Sequence, residues 1–351
     1  MTNQNYTLSA LGWGQFYQSQ LSTEECAKTT PLRVTAVQRA TLDALGTGGL
    51  QRVPVTGILA EQGITVGDWL LIDNETKSPM RVLDRKSEIK RRAAGKDYVS
   101  QLIAANIDTL FIVSSCNADF KPARLERYLA LAYQAEVEPV LVLTKADLCD
   151  DPAKYLSDSA REMPGHSVVA INATSTNVQV ELAEWCGEGQ TVALVGSSGV
   201  GKSTLAIALT GADILTQDIR EDDARGRHTT TSRSMYQMIS GGWLIDTPGM
   251  RALRLYDVAD GVDAVFDDII ALGKQCKFND CAHASEPDCA VQTAIASGEL
   301  DANRLNRWQK LQREDLKNSE STHETKERFR KLTKKYSAGK ARLKVKKGDF
   351  Y

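Results

Sequence analysis

The octapeptide Gly196-Ser197-Ser198-Gly199-Val200-Gly201-Lys202-Ser203 constrains what this chain can fold into more than any other stretch. It follows an apolar run at 191–195 and precedes a helical run at 204–209, and a strand–GxxxxGKS–helix unit is a phosphate-binding loop. Glycines let backbone N–H groups turn inward onto phosphate oxygens, and the positive end of the following helix adds to that field. On this reading Lys202 reaches the β- and γ-phosphates, the Ser203 hydroxyl sits on Mg²⁺, and Thr204 continues the phosphate-facing turn. The parent fold is then a doubly wound α/β sheet, spanning about 101–260, in which 109–115 and 140–144 read as parallel strands buried on both faces and 122–136 as a helix between them.

A phosphate loop alone does not choose between adenine and guanine. Thr144-Lys145-Ala146-Asp147, at the end of a buried strand, makes the choice. Asp147 accepts hydrogen bonds from the guanine N1–H and exocyclic amine, donors that adenine does not offer in that arrangement, and the Lys145 stem packs on the base. A third motif, Asp246-Thr247-Pro248-Gly249, follows the strand 243–245; Asp246 holds Mg²⁺ through water and the Gly249 amide senses the γ-phosphate. A weaker element, Asn172-Ala173-Thr174 after the strand 167–171, offers backbone groups to the guanine oxygen. The guanine loop precedes the phosphate loop, the reverse of an ordinary GTPase. The reversed order changes what the nucleotide switch is wired to.

The water-orienting glutamine that follows Asp-x-x-Gly in ordinary GTPases is replaced by Met250, which cannot orient water. The segment Gly226-Arg227-His228-Thr229-Thr230-Thr231 occupies the place of the first switch. His228 is the candidate to position or deprotonate water, because an imidazole titrates near neutrality. Thr230 is the favoured threonine for Mg²⁺.

Further along, Cys276-x₄-Cys281-x-His283-x₅-Cys289 supplies three thiolates and one imidazole, the donor set of a closed structural zinc site. Four protein ligands leave no position for a catalytic water. The remaining cysteines, Cys26, Cys116, Cys149 and Cys186, are scattered, which fits reduced thiols and a cytoplasmic location better than a disulfide framework. No apolar run approaches the roughly 20 residues a membrane span needs, so no membrane partner is expected.

Up to about residue 100 the chain shows short β-like runs at 33–38, 53–59, 69–72 and 80–83, broken by glycines, the pattern of a small all-β barrel. Three parts result: a barrel at 1–100, the permuted nucleotide domain at 101–260 and a zinc-binding helical part at 261–351 with a basic tail. The net charge of −2 hides an asymmetry, since residues 325–351 hold eleven Lys or Arg against two acids. Residues 81–96 hold seven basic side chains against two acids, so two polyanion-facing surfaces are expected on either side of the nucleotide domain.

The order T-K-A-D, G-S-S-G-V-G-K-S, G-R-H-T-T-T, D-T-P-G, C-x₄-C-x-H-x₅-C behind a β-barrel resembles the ribosome small-subunit-dependent GTPase A (RsgA) family of circularly permuted GTPases. The resemblance is dense from about 99 to 311 and includes 125–131 and 222–227, outside the generic GTP motifs. Thr144 stands where the general motif has asparagine, and Asn172 where serine is usual. The resemblance implies an N-terminal OB barrel, a permuted G domain and a zinc-binding helical domain, in a monomer that binds GTP and GDP. It further implies slow GTP hydrolysis stimulated by the 30S subunit and its 16S rRNA during late small-subunit maturation, with Mg²⁺ and one structural Zn²⁺, and a catalytic role for His228. The competing reading is a non-catalytic rRNA-binding scaffold that holds GTP as a structural ligand. The motif order also leads us to expect a clamp, with the barrel entering at one end of the nucleotide domain and the second switch running into the zinc part at the other.

Overall fold

Pro54, which has no N–H to continue a ladder, and Gly57, at φ +53°, interrupt the β-like stretch 53–59 and turn the chain into a helix. The computed structural model describes residues 5–38, 40–55, 57–92, 100–211, 233–246 and 258–319. Two short helices, α1 (Gln15–Gln18) and α2 (Thr23–Lys28), lead in. In the capping box of α2, the Ser22 hydroxyl accepts the Glu25 N–H and the Glu25 carboxylate accepts the Ser22 N–H. Strands β1 (Thr29–Val37), β2 (Thr41–Gly46), β3 (Gly49–Pro54), β4 (Trp69–Asp73) and β5 (Pro79–Val82) pair antiparallel in the order β3-β2-β1-β4-β5, with α3 (Ile58–Gln62) between β3 and β4. This is a partly open five-stranded arrangement of the OB type, closed over Leu32, Val34, Leu42, Leu59, Leu70 and Ile72. The strand expected at 53–59 is thus the end of β3 followed by α3. Strands β6 (Glu88–Arg92) and β7 (Ser100–Ala105) form a separate antiparallel pair.

The nucleotide-domain elements follow the expected alternation: β8 (Thr109–Ser115), α4 (Pro122–Gln134), β9 (Glu138–Thr144), α5 (Pro152–Glu162) and β10 (Ser167–Ala170). Next come α6 (Val178–Glu181), α7 (Ala183–Cys186), β11 (Thr191–Gly196), α8 (Lys202–Thr210), β12 (Arg233–Gln237) and β13 (Trp243–Asp246). Every residue of β8 is buried, as a central parallel strand covered on both faces requires. Parallel pairing runs β10-β9-β8-β11-β13, and β12 closes antiparallel on β13.

The two β systems are one sheet. Ala36 and Val37 of β1 pair with Ser234 and Arg233 of β12, so the OB-type strands continue directly from the strand that follows the first-switch segment. Arg33 reinforces the junction from a fully buried position. Its guanidinium donates to the carbonyls of Leu11 and Asn106 and to the Thr191 hydroxyl of β11 at 2.7 Å, and it lies 5.8 Å from the Trp69 ring centroid. Burial lowers the Arg33 pKa from its ordinary value, with Tyr17, Asp108 and Asp68 opposing.

The C-terminal helices are α9 (Ala259–Val265), α10 (Asp267–Gly273), α11 (Ala290–Ser297) and α12 (Ala302–Ser319). They pack against α4 and α5. Glu126 of α4, fully buried, receives Arg307 on both carboxylate oxygens at 2.9 Å and Arg304 at 3.5 Å. Burial raises the Glu126 pKa while the two guanidinium groups pull it down. Arg307 also pairs with Glu162 of α5 at 2.9 Å, and Arg127 pairs with Glu314. The barrel joins through the β12 edge, and the C-terminal helices are anchored on α4 and α5; residues 247–257, which carry the second switch, lie outside the described residues. Gly261 makes the α9–α4 approach possible, since a Cβ there would stand 2.0 Å from the Ala130 carbonyl oxygen. Gly261→Ala is expected to cost about 1–3 kcal/mol in urea unfolding, the usual range for overpacking. An unchanged midpoint would show that the helices separate freely.

Candidate nucleotide site and metal centre

The carboxyl ends of β8, β9 and β11 lie side by side, the end of an open α/β sheet at which ligands bind. At Gly196 the chain leaves β11 with φ +145°, and a Cβ there would be 2.2 Å from the Val113 carbonyl oxygen, so only glycine fits. The loop continues into α8, whose first residue is Lys202. The Lys202 ammonium donates to the Gly196 carbonyl at 2.8 Å and to the Ser197 carbonyl. Ser203 follows in the first turn of α8, half-buried, and Thr204 is exposed.

The guanine-selecting motif meets this loop directly. Lys145 adopts the left-handed conformation at φ +59°, and its ammonium donates to the Gly199 carbonyl at 2.7 Å. Thr144, fully buried, places its hydroxyl 3.1 Å from the Ser114 carbonyl and also against the Val200 carbonyl. The threonine at the usual asparagine position therefore ties β8, β9 and the phosphate loop together. Asp147 is exposed in a single 3-10 turn, Ala146–Leu148. The Ala146 N–H donates to the Ile171 carbonyl at 3.2 Å, which brings the Asn172 element alongside. There the Asn172 side-chain oxygen accepts the Thr174 N–H at 2.9 Å and the Thr174 hydroxyl at 2.7 Å, and Ala173 is buried. Asp246 ends β13, which pairs with β11 beside the loop. Thus Thr144, Lys145, Ala146, Asp147, Asn172 and Ala173 converge with 196–204 at one end of the sheet. Gly226, Arg227, His228, Thr229, Thr230, Thr231, Thr247, Pro248, Gly249 and Met250 lie outside the described residues, as does the basic tail.

One residue at this end has no sequence motif. Arg124, in the first turn of α4, contacts the Ser197 hydroxyl and pairs with Asp119 at 2.6 Å. It sits just before the stretch 125–131 that carries family resemblance.

The basic run near 81–96 is largely engaged within the molecule. Arg81 pairs with Glu25 at 2.7 Å, Arg85 with the buried Asp68 at 2.7 Å, Lys86 with Asp108 at 3.0 Å, and Lys90 with Glu88. The Arg81 pairing, with the Ser22 N–H, holds the Glu25 carboxyl down at about 2. The Arg81 and Arg85 pairs tie the barrel together, whereas Lys86 and Lys90 remain about half exposed, at 56% and 48%.

Cys276, Cys281, His283 and Cys289 form the second constellation, with all ligand atoms within 4.8 Å of one another. Cys276 Sγ lies 3.8 Å from Cys289 Sγ and 3.6 Å from His283 Nδ1, and Cys289 Sγ lies 3.5 Å from His283 Nδ1. Tetrahedral bonds of about 2.3 Å to sulfur and about 2.0–2.1 Å to nitrogen give edges of about 3.8 and 3.5–3.6 Å, so the Cys276–His283–Cys289 face has the edges of a tetrahedral site, and Cys281 Sγ lies within 4.8 Å of each of its corners. Local hydrogen bonds hold the ligands in place. Glu286 accepts the N–H groups of Ala282, Ala284 and Ser285, and Gln292 donates to the His283 carbonyl at 2.5 Å.

A family model described as RsgA GTPase matches residues 82–256. A curated relative from Mesorhizobium japonicum, "Small ribosomal subunit biogenesis GTPase RsgA", is 46% identical over 323 residues, covering 91% of this chain and 93% of that protein. The chain belongs to the RsgA GTPase family. A Vibrio parahaemolyticus relative, "Small ribosomal subunit biogenesis GTPase RsgA 2", is also 46% identical, over 95% of this chain and 93% of its own length. Among solved structures, YjeQ from Thermotoga maritima superimposes with a TM-score of 0.60 at 25% identity, covering 81% of this chain and 97% of that one. YloQ, described as a circularly permuted GTPase, gives 0.59 over 83% of this chain and 96% of its own. Membership of this family makes the chain a GTP hydrolase with the permuted fold its motif order required. Among the described residues no helix is long and apolar enough to cross a membrane.

Proposed function

We propose that this GTPase acts in the cytoplasm on the small ribosomal subunit, binding 16S rRNA in the 30S particle, assisting its late maturation and hydrolysing GTP with stimulation by that subunit. The observation that carries the nucleotide assignment is the bond from Lys145 to the Gly199 carbonyl, which joins the guanine-selecting loop to the phosphate loop in one site. Asp147 reads the guanine edge, Asn172 and Ala173 lie beside it, and residues 196–204 hold the phosphates. Mg²⁺ is held by Ser203, Thr230 and, through water, Asp246, with Gly249 on the γ-phosphate. One structural Zn²⁺ is held by Cys276, Cys281, His283 and Cys289, whose edge lengths support that ion. The working division is 1–100, 101–260 and 261–351, acting as a monomer. Its rRNA contacts rest on the basic tail and on the exposed cations of the run near 81–96, among them Lys86 and Lys90.

His228 is the proposed group that orients the attacking water, Met250 being unable to do so. The decisive experiment is GTP turnover with 30S, 50S or 70S particles and without ribosomes, for wild type and His228→Ala. We expect stimulation by 30S alone and a fall in the stimulated rate of His228→Ala by about 10²–10⁴, the range of a general base. A rate indifferent to 30S removes the ribosomal role, and a normal mutant rate removes His228. Absence of phosphate release under every condition would favour the non-catalytic scaffold.

A further inference from the structure

We propose that Arg124 is a positioning residue for the γ-phosphate end of the nucleotide site, so that it strengthens binding of the triphosphate over the diphosphate. The inference rests on the reading that residues 196–204 hold the nucleotide phosphates. Three cations from three different elements hold this loop. Lys145, at the end of β9, takes the Gly199 carbonyl. Lys202, at the start of α8, takes the carbonyls of Gly196 and Ser197. Arg124, from α4, takes the Ser197 hydroxyl. The first two belong to motifs with assigned duties; Arg124 belongs to none.

The direction of the ligand across the loop follows from those contacts. Lys145 belongs to the guanine-selecting motif, so the limb at Gly199 lies toward the base. The phosphate-loop lysine reaches the β- and γ-phosphates, so the limb it touches, Gly196 and Ser197, lies toward the terminal phosphate. Arg124 is on that second limb. A guanidinium there fixes the Ser197 hydroxyl, and with it the amides that follow, on the limb where GTP carries the terminal phosphate that GDP lacks.

Arg124 is also held in place. Asp119 pairs with it at 2.6 Å, and the side chain is about one-third exposed (35%). Two and three residues further along α4, Glu126 and Arg127 are fastened to α12 by Arg307 and Glu314. The guanidinium is therefore presented to the loop from a helix braced on its far side. A preset donor of this kind acts without having to be ordered when the nucleotide arrives.

The test measures equilibrium affinity for GTP and GDP, with Mg²⁺, on the full chain. The variants are Arg124→Gln, Arg124→Lys, Ser197→Ala and the double variant Arg124→Gln/Ser197→Ala. Arg124→Gln is expected to weaken GTP about 10-fold while GDP changes by no more than about 2-fold, a loss in the range of one charged hydrogen bond. Arg124→Lys should recover part of the GTP affinity, and the effect of Arg124→Gln should shrink when Ser197 is already alanine. Equal losses for GTP and GDP, no loss, or a lysine variant no better than glutamine would each overturn the proposal. Lys202→Ala serves as the reference arm. If it binds both nucleotides like wild type, the phosphate-loop reading itself fails; if it loses both while Arg124→Gln shows no GTP-selective loss, only the role of Arg124 fails.

Discussion

Lys202→Ala is expected to reduce kcat/KM for GTP by about 10²–10³, the scale of removing one preorganised donor from a site of developing charge. The physical argument has two parts. An ammonium on the β- and γ-phosphates gains more in the transition state, as charge moves onto the bridging and terminal oxygens, than in the ground state. In the structure the same ammonium holds the Gly196 and Ser197 carbonyls, so its loss also releases the outward face of the loop. Fold stability should change little, because the side chain is only half-buried and its bonds to the Gly196 and Ser197 carbonyls are local to the loop. Steady-state turnover with 30S subunits, with a thermal midpoint as control, checks both statements. Turnover within a few-fold of wild type, at an unchanged midpoint, would remove Lys202 from the mechanism.

Cys289→Ser is expected to give the largest structural effect, with loss of the bound metal and of amide protection across roughly 276–297. Cys289 does two jobs. Its Sγ stands at ligand distance from both Cys276 and His283, and it also accepts the Gln292 N–H as the N-cap of α11. Serine is a good N-cap, so this substitution keeps the cap and removes the thiolate. Structural zinc contributes apparent binding free energy on the order of 10 kcal/mol, which is folding free energy for a segment unable to organise without it. Metal content per chain and hydrogen exchange report the result, and a chelator on wild type should reproduce it. Binding of GTP should persist, because α12 is fastened to α4 and α5 by Arg304, Arg307 and Glu314, away from the thiolates. Normal protection in a metal-free variant would mean that the segment is held by packing alone.

What could be read from residues alone followed from spacing. The phosphate loop, the guanine motif and the thiolate–imidazole cluster are local patterns, and each needs only its own few residues to be recognised. The parallel strands 109–115 and 140–144 were legible because burial on both faces leaves an unbroken apolar run. The stretch 53–59 misled because Val53, Val55 and Ile58 look like a strand, while Pro54 and Gly57 decide the backbone. Strand β2 was missed because only Thr41 to Ala44 alternate polar and apolar before Leu45 faces out and Gly46 faces in; in the structure the outward Asp43 pairs with Arg52 across the ladder. Arg124 and the Glu126 network were illegible for another reason. Their partners lie 73 and up to 181 positions away, and nothing in their immediate neighbours marks them. The partners of the basic run near 81–96 were illegible for the same reason: net charge does not reveal that Arg81, Arg85 and Lys86 meet acids across the fold at Glu25, Asp68 and Asp108.

The buried Arg33 has a consequence for how the protein is made. Its guanidinium is satisfied partly by Leu11, already synthesised, but also by Asn106 and Thr191, which follow it by 73 and 158 residues. At 5–20 residues per second, Thr191 leaves the peptidyl transferase centre about 10–30 s after Arg33. During that interval a cation destined for the interior has to stay hydrated, so the N-terminal strands cannot close over it. The OB-type segment should therefore mature only once β11, the strand that delivers the phosphate loop, has emerged. A ribosome-bound nascent chain truncated before residue 191 should leave these strands open to protease, and one extended past β13 should protect them.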